Sequence, residues 1–359
     1  MDITVNGKAI KAVAQPSKQA FLYTFDRTTG EPVWPIEERP VPKGDVPGET
    51  YSPTQPFPTR PAPYDRQGVA ESDLLDWTPE IKAEALRIAG LHKIGPIFTP
   101  PIVQGEGGKA GTLMLPAATG GANWEGGTFD PETNILYIWS TTAVTRLGLV
   151  HDPARSSMNY IQGGGGGGEG RGGRGGDDAA GANAGGGRGR GAGRGAGAGA
   201  AAPAGGGAGD AAANALPPTT VFGLPLVKPP YGRITAIDMN TGEHVWMQPI
   251  GETPEFIKNH PMLKGVNIPK TGRGGRLGIM TTKTLLWAGE KGPLATVNGQ
   301  QGSWFRSYDK ATGAIVSEIL LPANTTGVPM TYMANGKQYI VVACAAPGHP
   351  AELVALSLP

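Results

Sequence analysis

Short stretches in which apolar and polar residues alternate recur along the chain and predict β-strands with one buried face. The clearest are residues 21–25, 233–237 and 304–308. Each is followed at once by an aspartate and, four positions later, by a glycine; the pairs are Asp26 and Gly30, Asp238 and Gly242, and Asp309 and Gly313. The same sheet-forming unit is therefore expected at least three times.

This Asp-to-Gly segment has the chemistry of a tight turn. The aspartate can accept hydrogen bonds from the turn amides, and the glycine can adopt a positive φ, so each copy predicts a hairpin. A tryptophan follows the aspartate by eight residues in two copies, as Trp34 and Trp246, and Ser317 takes that place in the third. A repeated hairpin with an outer tryptophan favours the blades of a β-propeller over a sandwich.

A second kind of hairpin alternates with the first, at residues 6–8, 130–134 and 335–337. Together the two kinds predict four-stranded blades at about 2–36, 110–251 and 275–322, and an incomplete last blade at about 328–358 that is one strand short. The expected fold is all-β, a partial propeller of about four blades. Propellers commonly close by borrowing a strand from the other chain end, and here that end begins directly in the first blade. We therefore expect a truncated product or one of two pieces.

Two segments interrupt this pattern. Residues 37–109 form a proline-rich excursion that ends in a helical pattern at about 79–93, starting at Thr78-Pro79-Glu80. Residues 163–215 consist mainly of glycine, alanine and arginine. Such a composition gains too little from burial to offset its backbone entropy, so a disordered insertion within the second blade is expected.

Charge and cysteine content restrict the function classes. Lysine and arginine total 31 against 30 for aspartate and glutamate, so no whole-chain field would attract nucleic acid or an anionic membrane. The single cysteine, Cys344, lies in an apolar run and is expected to be a buried thiol, without a disulfide or haem attachment. No apolar stretch approaches the roughly 20 residues of a membrane span, and no signal-peptide pattern is present.

Several ordered motifs resemble one enzyme family. They are the string at residues 18–34, Pro53-Thr54-Gln55-Pro56-Phe57, Gly121-Ala122-Asn123-Trp124, Pro329-Met330-Thr331-Tyr332 and Asn335-Gly336-Lys337-Gln338-Tyr339. Their order and spacing are similar to the pyrroloquinoline quinone (PQQ)-dependent dehydrogenases, most of all to the glucose-dehydrogenase-like branch. The resemblance implies an eight-bladed propeller in the periplasm, with PQQ on its axis, a calcium ion against the quinone and a carboxylate base.

Four residues match positions that the family uses to contact the cofactor. Lys18 falls where the family places a cation against the ortho-quinone oxygens, which would stabilise charge developing there as the quinone is reduced. Asn123 and Trp124 match an Asn-Trp pair at the inner strand of a blade, where an amide or indole N–H can donate to the cofactor. Arg276 lies where some relatives have another contact, and it departs from the tryptophan of the alcohol-oxidising branch.

The family's catalytic base has no counterpart in this chain. It belongs to a Trp-Asp pair about a dozen residues ahead of the segment that matches Asp2, and so falls before Met1. The family's calcium ligands belong to earlier blades. The aspartates that do recur, Asp26, Asp238 and Asp309, are turn residues. We therefore expect no catalytic and no metal-ligating residue here.

The resemblance thus predicts the C-terminal portion of a dehydrogenase that oxidises a sugar or alcohol hydroxyl and passes electrons through PQQ to an external acceptor. Alone it is expected to be inactive, and to need its N-terminal blades or a complementary chain. The alternative is a propeller-like binding module that has lost catalysis. A PQQ titration distinguishes the two, because only the first retains affinity for the cofactor.

Overall fold

The computed structural model describes residues 1–163, 216 and 218–357. The glycine-rich segment, predicted to be disordered, lies almost wholly outside the described residues. Its flanks are described: one strand ends at Thr141 and the next long strand begins at Gly232.

The described residues are mainly β-strands. Before the glycine-rich segment these are β1 (Asp2–Val5), β2 (Lys8–Pro16), β3 (Leu22–Asp26), β4 (Ile36–Pro40), β5 (Thr54–Pro58), β6 (Ile102–Val103), β7 (Thr112–Met114), β8 (Gly127–Asp130), β9 (Ile135–Thr141), β10 (Thr145–Val150) and β11 (Ile161–Gln162). After it come β12 (Thr220–Val221), β13 (Leu224–Pro225), β14 (Gly232–Asp238), β15 (Glu243–Pro249), β16 (Ile279–Thr281), β17 (Leu285–Ala288), β18 (Ala295–Val297), β19 (Gln300–Asp309), β20 (Ile315–Leu321), β21 (Asn324–Thr325), β22 (Met330–Ala334), β23 (Lys337–Ala346) and β24 (His349–Ser357).

Among the described residues, helical structure is confined to the connecting segments. The helices are α1 (Pro79–Gly90) and α2 (Glu255–Lys258), with short 3₁₀ turns at Glu71–Asp73, Glu106–Gly108 and Pro261–Leu263. Helix α1 begins where the sequence predicts, because the Thr78 hydroxyl accepts the Ile81 N–H at 3.2 Å and Pro79 needs no amide partner there. It ends three residues earlier than predicted, at Gly90.

Four antiparallel sheets carry the repeat. Sheet 1 is β1-β2-β3; sheet 2 has the order β8-β9-β14-β15; sheet 3 is β16-β17-β19-β20, with β18 paired to the start of β19; in sheet 4, β22 and β24 flank β23 and the two-residue β21 extends the β22 side. The glycine-rich segment thus lies between the second and third strands of sheet 2. Sheet 4 is three strands wide.

The Asp-to-Gly turns form as their chemistry predicts. The Asp26 carboxylate accepts the Thr28 N–H at 2.9 Å, and Gly30, at φ +81°, donates its N–H to the Asp26 carbonyl at 2.8 Å. The turns after β14 and β19 repeat this pattern, with Gly242 at φ +73° and Gly313 at φ +71°. Each turn joins the third strand of a sheet to the segment that follows it.

The two tryptophans connect successive sheets. Trp34 follows sheet 1 and packs on the turn of sheet 2, where a Cβ at Gly242 would lie 3.1 Å from its ring. Trp246, in sheet 2, packs in the same way on the turn of sheet 3: a Cβ at Gly313 would lie 2.9 Å from the ring. Its indole N–H also donates to the Lys310 carbonyl at 2.9 Å. The repeat therefore specifies contacts between neighbouring sheets as well as the turn.

Each sheet packs face to face on the next. The layer between sheets 1 and 2 contains Ile3, Val5 and Leu22 against Leu136, Ile138 and Ile237. The layer between sheets 2 and 3 contains Trp139 and Ile234 against Ile279 and Leu286. The layer between sheets 3 and 4 contains Met280 and Phe305 against Ile340, Val342 and Cys344. These three apolar layers are the main core. Cys344 is buried in the last of them, which confirms the prediction of a core thiol.

The arrangement is an open arc, because no strand of sheet 1 pairs with sheet 4 among the residues that the structure describes. The prediction of an all-β partial propeller is confirmed.

The proline-rich excursion covers one end of the sheets. It contributes the hairpin β4-β5, and α1 packs with the hairpin β12-β13 in a fourth apolar cluster that includes Ile81, Ile88 and Leu224. A further small sheet joins β10 to β6, β7 and β11. These elements surround the end of the sheets at which the four predicted site residues lie.

Candidate functional site

The four predicted residues lie at the same end of the sheets. Lys18 is in the turn from β2 to β3, Asn123 and Trp124 lie in the segment that leads into β8, and Arg276 lies in the segment that leads into β16. These positions are at the entry to the first strand of a sheet, or at the turn between its second and third strands. In an up-and-down antiparallel sheet, the start of the first strand and the turn between the second and third strands lie at the same end of the strands.

A row of hydrogen bonds joins these segments across three sheets. The Gly121 N–H donates to the Lys18 carbonyl at 3.0 Å, and the Thr141 N–H, at the end of β9, donates to the Gly121 carbonyl at 2.7 Å. The Thr141 hydroxyl then accepts the Gly275 N–H at 3.1 Å, next to Arg276. The structure therefore brings the predicted residues onto adjoining stretches of backbone.

Close backbone approach requires a glycine in this row. Gly120 has φ +93°, and a Cβ there would lie 2.7 Å from Cγ of Lys18. A side chain at position 120 would both strain the backbone and displace the lysine. Gly120 is thus part of what shapes the site.

Lys18 is an exposed cation at the start of this row. Its ammonium forms no ion pair or hydrogen bond with any residue in the described part of the chain. The backbone beneath it is ordered, since the Ser17 N–H donates to the Phe21 carbonyl at 2.8 Å and the Ala20 N–H donates to the Ser17 carbonyl at 3.0 Å. A positive charge on a fixed turn can stabilise negative charge on a ligand oxygen.

Asn123 forms hydrogen bonds within the protein, whereas the side chain of Trp124 is mostly exposed to solvent. The Asn123 amide donates to the Thr119 carbonyl at 2.9 Å and accepts the Trp124 N–H at 2.9 Å, so it closes its own loop and retains one free N–H for a ligand. Trp124 is 67% exposed. An indole this exposed is not core packing, and its face is available for stacking.

Arg276 is half-buried and has interactions within the protein. Two further cations lie in the same region: a Cβ at Gly275 would meet Lys291 at 2.8 Å, and Arg273 donates to the Pro293 carbonyl at 3.0 Å. Burial lowers the pKa of Arg273, but an arginine stays charged at neutral pH. The nearby buried carboxylate of Glu290 pairs with Arg306 and also with Arg273, which lies 3.9 Å from it. This end of the arc therefore places several cations near the predicted site, together with a carboxylate that pairs with two of them.

One polar cluster beside Lys18 is not evident from sequence. Asp65 and Arg233 form an ion pair at 3.1 Å with side chains only 1% and 5% exposed, and the Thr142 hydroxyl donates to Asp65 at 2.7 Å. Burial lowers the pKa of Arg233. The only local signal is a polar run, Tyr64-Asp65-Arg66-Gln67, inside a proline-rich stretch.

No group of three or more histidine, cysteine, aspartate or glutamate side chains that could hold a metal ion occurs within the described ranges. No helix in the described part of the chain is long and apolar enough to cross a bilayer.

Comparison with known proteins gives the family. Residues 1–340 match the model of the glucose/ethanol/alcohol dehydrogenase β-propeller domain that binds PQQ. The chain is 29% identical over 366 residues to the glycerol dehydrogenase large subunit of Gluconobacter thailandicus, covering 94% of this chain and 40% of the relative. It is 28% identical over 361 residues to the quinoprotein glucose dehydrogenase of Escherichia coli, covering 97% of this chain and 38% of that protein.

Among solved structures, the quinohemoprotein alcohol dehydrogenase of Comamonas testosteroni matches with a TM-score of 0.43 and 16% identity, over 96% of this chain and 33% of that one. This chain belongs to the PQQ-dependent quinoprotein dehydrogenase family, because the family model covers nearly all of it. It spans about 40% of the length of the curated relatives.

The residues present fit one of the family's two implied groups. An exposed lysine without an ion-pair partner among the described residues and an exposed indole, on adjoining backbone, suit the carboxylates and the flat ring system of PQQ. The described residues do not fit a calcium ion, since no cluster of suitable ligands is present among them.

Proposed function

We propose that this chain is the C-terminal sector of a PQQ-dependent dehydrogenase that oxidises a sugar or alcohol hydroxyl, and that it supplies one wall of the quinone site. The observation that carries the proposal is the row Lys18, Gly121, Thr141, Gly275, which aligns the four cofactor-matching residues along one end of three sheets. The coarser function, that of a PQQ-dependent dehydrogenase family member, comes from the family match.

Each wall residue has a role that its surroundings support. PQQ, when bound, accepts two electrons as a hydride equivalent from the substrate carbon. The Lys18 ammonium would hold negative charge on the quinone oxygens, which favours reduction of the cofactor. The remaining Asn123 N–H would donate to a polar edge, Trp124 would stack on a ring face, and Arg276 would attract a carboxylate.

The base that removes the hydroxyl proton is, in this proposal, supplied from outside the chain. Lys18 forms no ion pair with a carboxylate among the described residues, and the recurring aspartates are occupied in turns. An external electron acceptor is part of the same proposal. A periplasmic site of action is the corresponding proposal for localisation.

We further propose that the outward face of sheet 4 receives another propeller sheet from the N-terminal sector of such an enzyme. That face has Met330, Tyr332 and Val341 in register, beside Leu353, which is 74% exposed. It continues the series of three apolar layers between successive sheets, so a fourth sheet stacked in the same way would bury it. The relatives are more than twice as long as the matched segment, which gives room for such a sector.

Turnover measurements test this function. The isolated chain, given PQQ, Ca²⁺, a dye acceptor and glucose or simple alcohols, is expected to show no dye reduction. Adding the N-terminal sector of a longer relative is expected to produce PQQ-dependent reduction. Dye reduction by the isolated chain at the rate of a complete enzyme would contradict the proposal that the base is supplied from outside the chain.

A further inference from the structure

The turn that carries Lys18 is held from outside at four successive carbonyl groups. The donors are the Tyr64 hydroxyl to Ser17, the Gly121 N–H to Lys18 at 3.0 Å, the Gln67 amide to Gln19 at 2.7 Å and the Tyr64 N–H to Ala20 at 3.0 Å. Three of these four bonds come from the segment Tyr64 to Gln67, which belongs to the proline-rich excursion and not to any of the four sheets.

The turn does not need these donors in order to close. Its own backbone bonds, Ser17 N–H to Phe21 and Ala20 N–H to Ser17, already do so, and the Ser17 hydroxyl accepts the Phe21 N–H at 3.2 Å. The outer donors fix instead how the turn is oriented. This matters because Ala20 has φ +67°, a conformation that persists in a residue other than glycine only where the surroundings determine it.

The segment that provides the donors is itself firmly anchored. Tyr64 is fully buried, and its carbonyl accepts the Thr235 hydroxyl at 3.1 Å. The next residue, Asp65, is paired with Arg233 of β14, and Arg66 donates to the Pro229 carbonyl at 2.8 Å. Separating a buried ion pair leaves an uncompensated charge and strongly destabilises the fold. The pair of Asp65 with Arg233 therefore holds this segment in place. The segment therefore connects the Lys18 turn to the start of the third strand of sheet 2.

We propose that Tyr64 and Gln67 are positioning residues for Lys18, setting the direction in which its ammonium faces a ligand at the row of site residues. A lysine side chain is long and flexible, so its reach is restricted mainly by how its backbone is held. The inference rests on the function proposed above, since it gives Lys18 its task. Burial raises the pKa of the Tyr64 hydroxyl, which keeps it a donor throughout the pH range of ordinary assays.

Gln67→Met provides the cleanest test, because it keeps the side-chain volume and removes only the amide donor of a half-buried residue. Tyr64→Phe is the second variant and removes the other side-chain donor. Gln55→Met serves as the matched control, since Gln55 lies in the same excursion on β5 and donates to no part of the Lys18 turn.

The first readout needs no cofactor. Hydrogen exchange of the full chain is expected to be several-fold faster at the amides of Ala20 and Phe21 in Gln67→Met and Tyr64→Phe, and unchanged there in Gln55→Met. Unchanged exchange at these amides in both donor variants would overturn the proposal. Circular dichroism of each variant confirms that the sheets remain folded.

The second readout is a double-mutant cycle on PQQ affinity, measured by quenching of tryptophan fluorescence. Gln67→Met is expected to weaken binding about fivefold, the change that corresponds to the loss of one ordinary hydrogen bond. In a Lys18→Gln background the same substitution is expected to have no further effect, because a positioning residue acts through the group it positions. An equal fivefold loss in both backgrounds would overturn the proposal.

The two readouts separate this inference from the function on which it rests. If Lys18→Gln leaves PQQ affinity unchanged, the proposed role of Lys18 in binding PQQ is wrong. The exchange rates alone then decide whether Tyr64 and Gln67 hold the Lys18 turn: faster exchange in their variants supports this, and unchanged exchange overturns it.

Discussion

The two ends of the arc are built from the same kind of sheet but present different surfaces. The inward faces of sheets 1 and 4 are both apolar and both buried. The outward face of sheet 1 contains Thr4, Lys11 and Gln15 beside Val13 and its cross-strand partner Phe25, whereas that of sheet 4 contains Met330, Tyr332 and Leu353. An arc that is open at both ends therefore has the stronger apolar driving force for association at sheet 4.

Strand register explains why this difference is so sharp. Directly paired residues share a face, so Met330 opposite Val341 and Val341 opposite Ala355 place apolar side chains side by side across sheet 4. In sheet 1 the outward pairs are mixed, since Asp2 lies opposite Lys11 whereas Val13 lies opposite Phe25. Sheet 4 therefore presents several large exposed apolar side chains on its outward face, and sheet 1 presents a mixed polar and apolar surface.

Substitutions on the two faces of sheet 1 are expected to have the largest difference in effect. Leu22→Ala creates a cavity in the layer against sheet 2 and should lower the free energy of unfolding by about 3 kcal/mol. Val13→Ala, on the outward face, should cost less than about 0.5 kcal/mol. Urea unfolding followed by circular dichroism measures both. Equal losses would contradict the assignment of inward and outward faces.

Thiol reactivity compares the two faces of sheet 4. Cys344 faces sheet 3, and burial raises its pKa to about 11, so the reactive thiolate is scarce at pH 8 and increases about tenfold per pH unit up to that value. A cysteine introduced as Leu353→Cys, on the outward face, should react with a disulfide reagent at pH 8 at least about 100-fold faster. Rapid modification of native Cys344 would mean that the layer between sheets 3 and 4 is open.

Self-association of the isolated chain tests the outward faces against each other. Without another sheet to bind, copies of the chain should associate through the outward face of sheet 4. Leu353→Asp places a charge there and should weaken association about tenfold, since burying a leucine contributes about 1.5–3 kcal/mol. Val13→Asp, the matched change on sheet 1, should leave it unaltered. Light scattering over a concentration series gives the result, and an equal response to both changes would remove the distinction between the ends.

The repeat and its turns could be predicted from sequence because their chemistry is local. Asp26 and Gly30 are four residues apart, and their hydrogen bonds and positive φ follow from residue type alone. The alternating stretches likewise identify strands without knowledge of their partners. The docking of Trp246 on the turn of sheet 3 is less local, but its fixed distance from the aspartate pointed to a repeated structural role.

The support of the candidate site could not be predicted in this way. Tyr64 and Gln67 reach the Lys18 turn from a proline-rich excursion, and Asp65 meets Arg233 across the glycine-rich segment. No periodicity or spacing encodes contacts of this range. The exposure of Trp124 is similar, since an Asn-Trp pair does not reveal whether its indole is packed or open.

The central claim, that this end of the arc is a wall of a PQQ site built around Lys18, is tested most directly by titrating the full chain with PQQ and following tryptophan fluorescence. Lys18→Gln is compared with Lys8→Gln, which removes another exposed lysine, at the end of β2 that lies away from the Lys18 turn. The account predicts saturable quenching that Lys18→Gln weakens about tenfold or more and Lys8→Gln leaves unchanged. Absence of saturable quenching, or an equal response of the two variants, would contradict it.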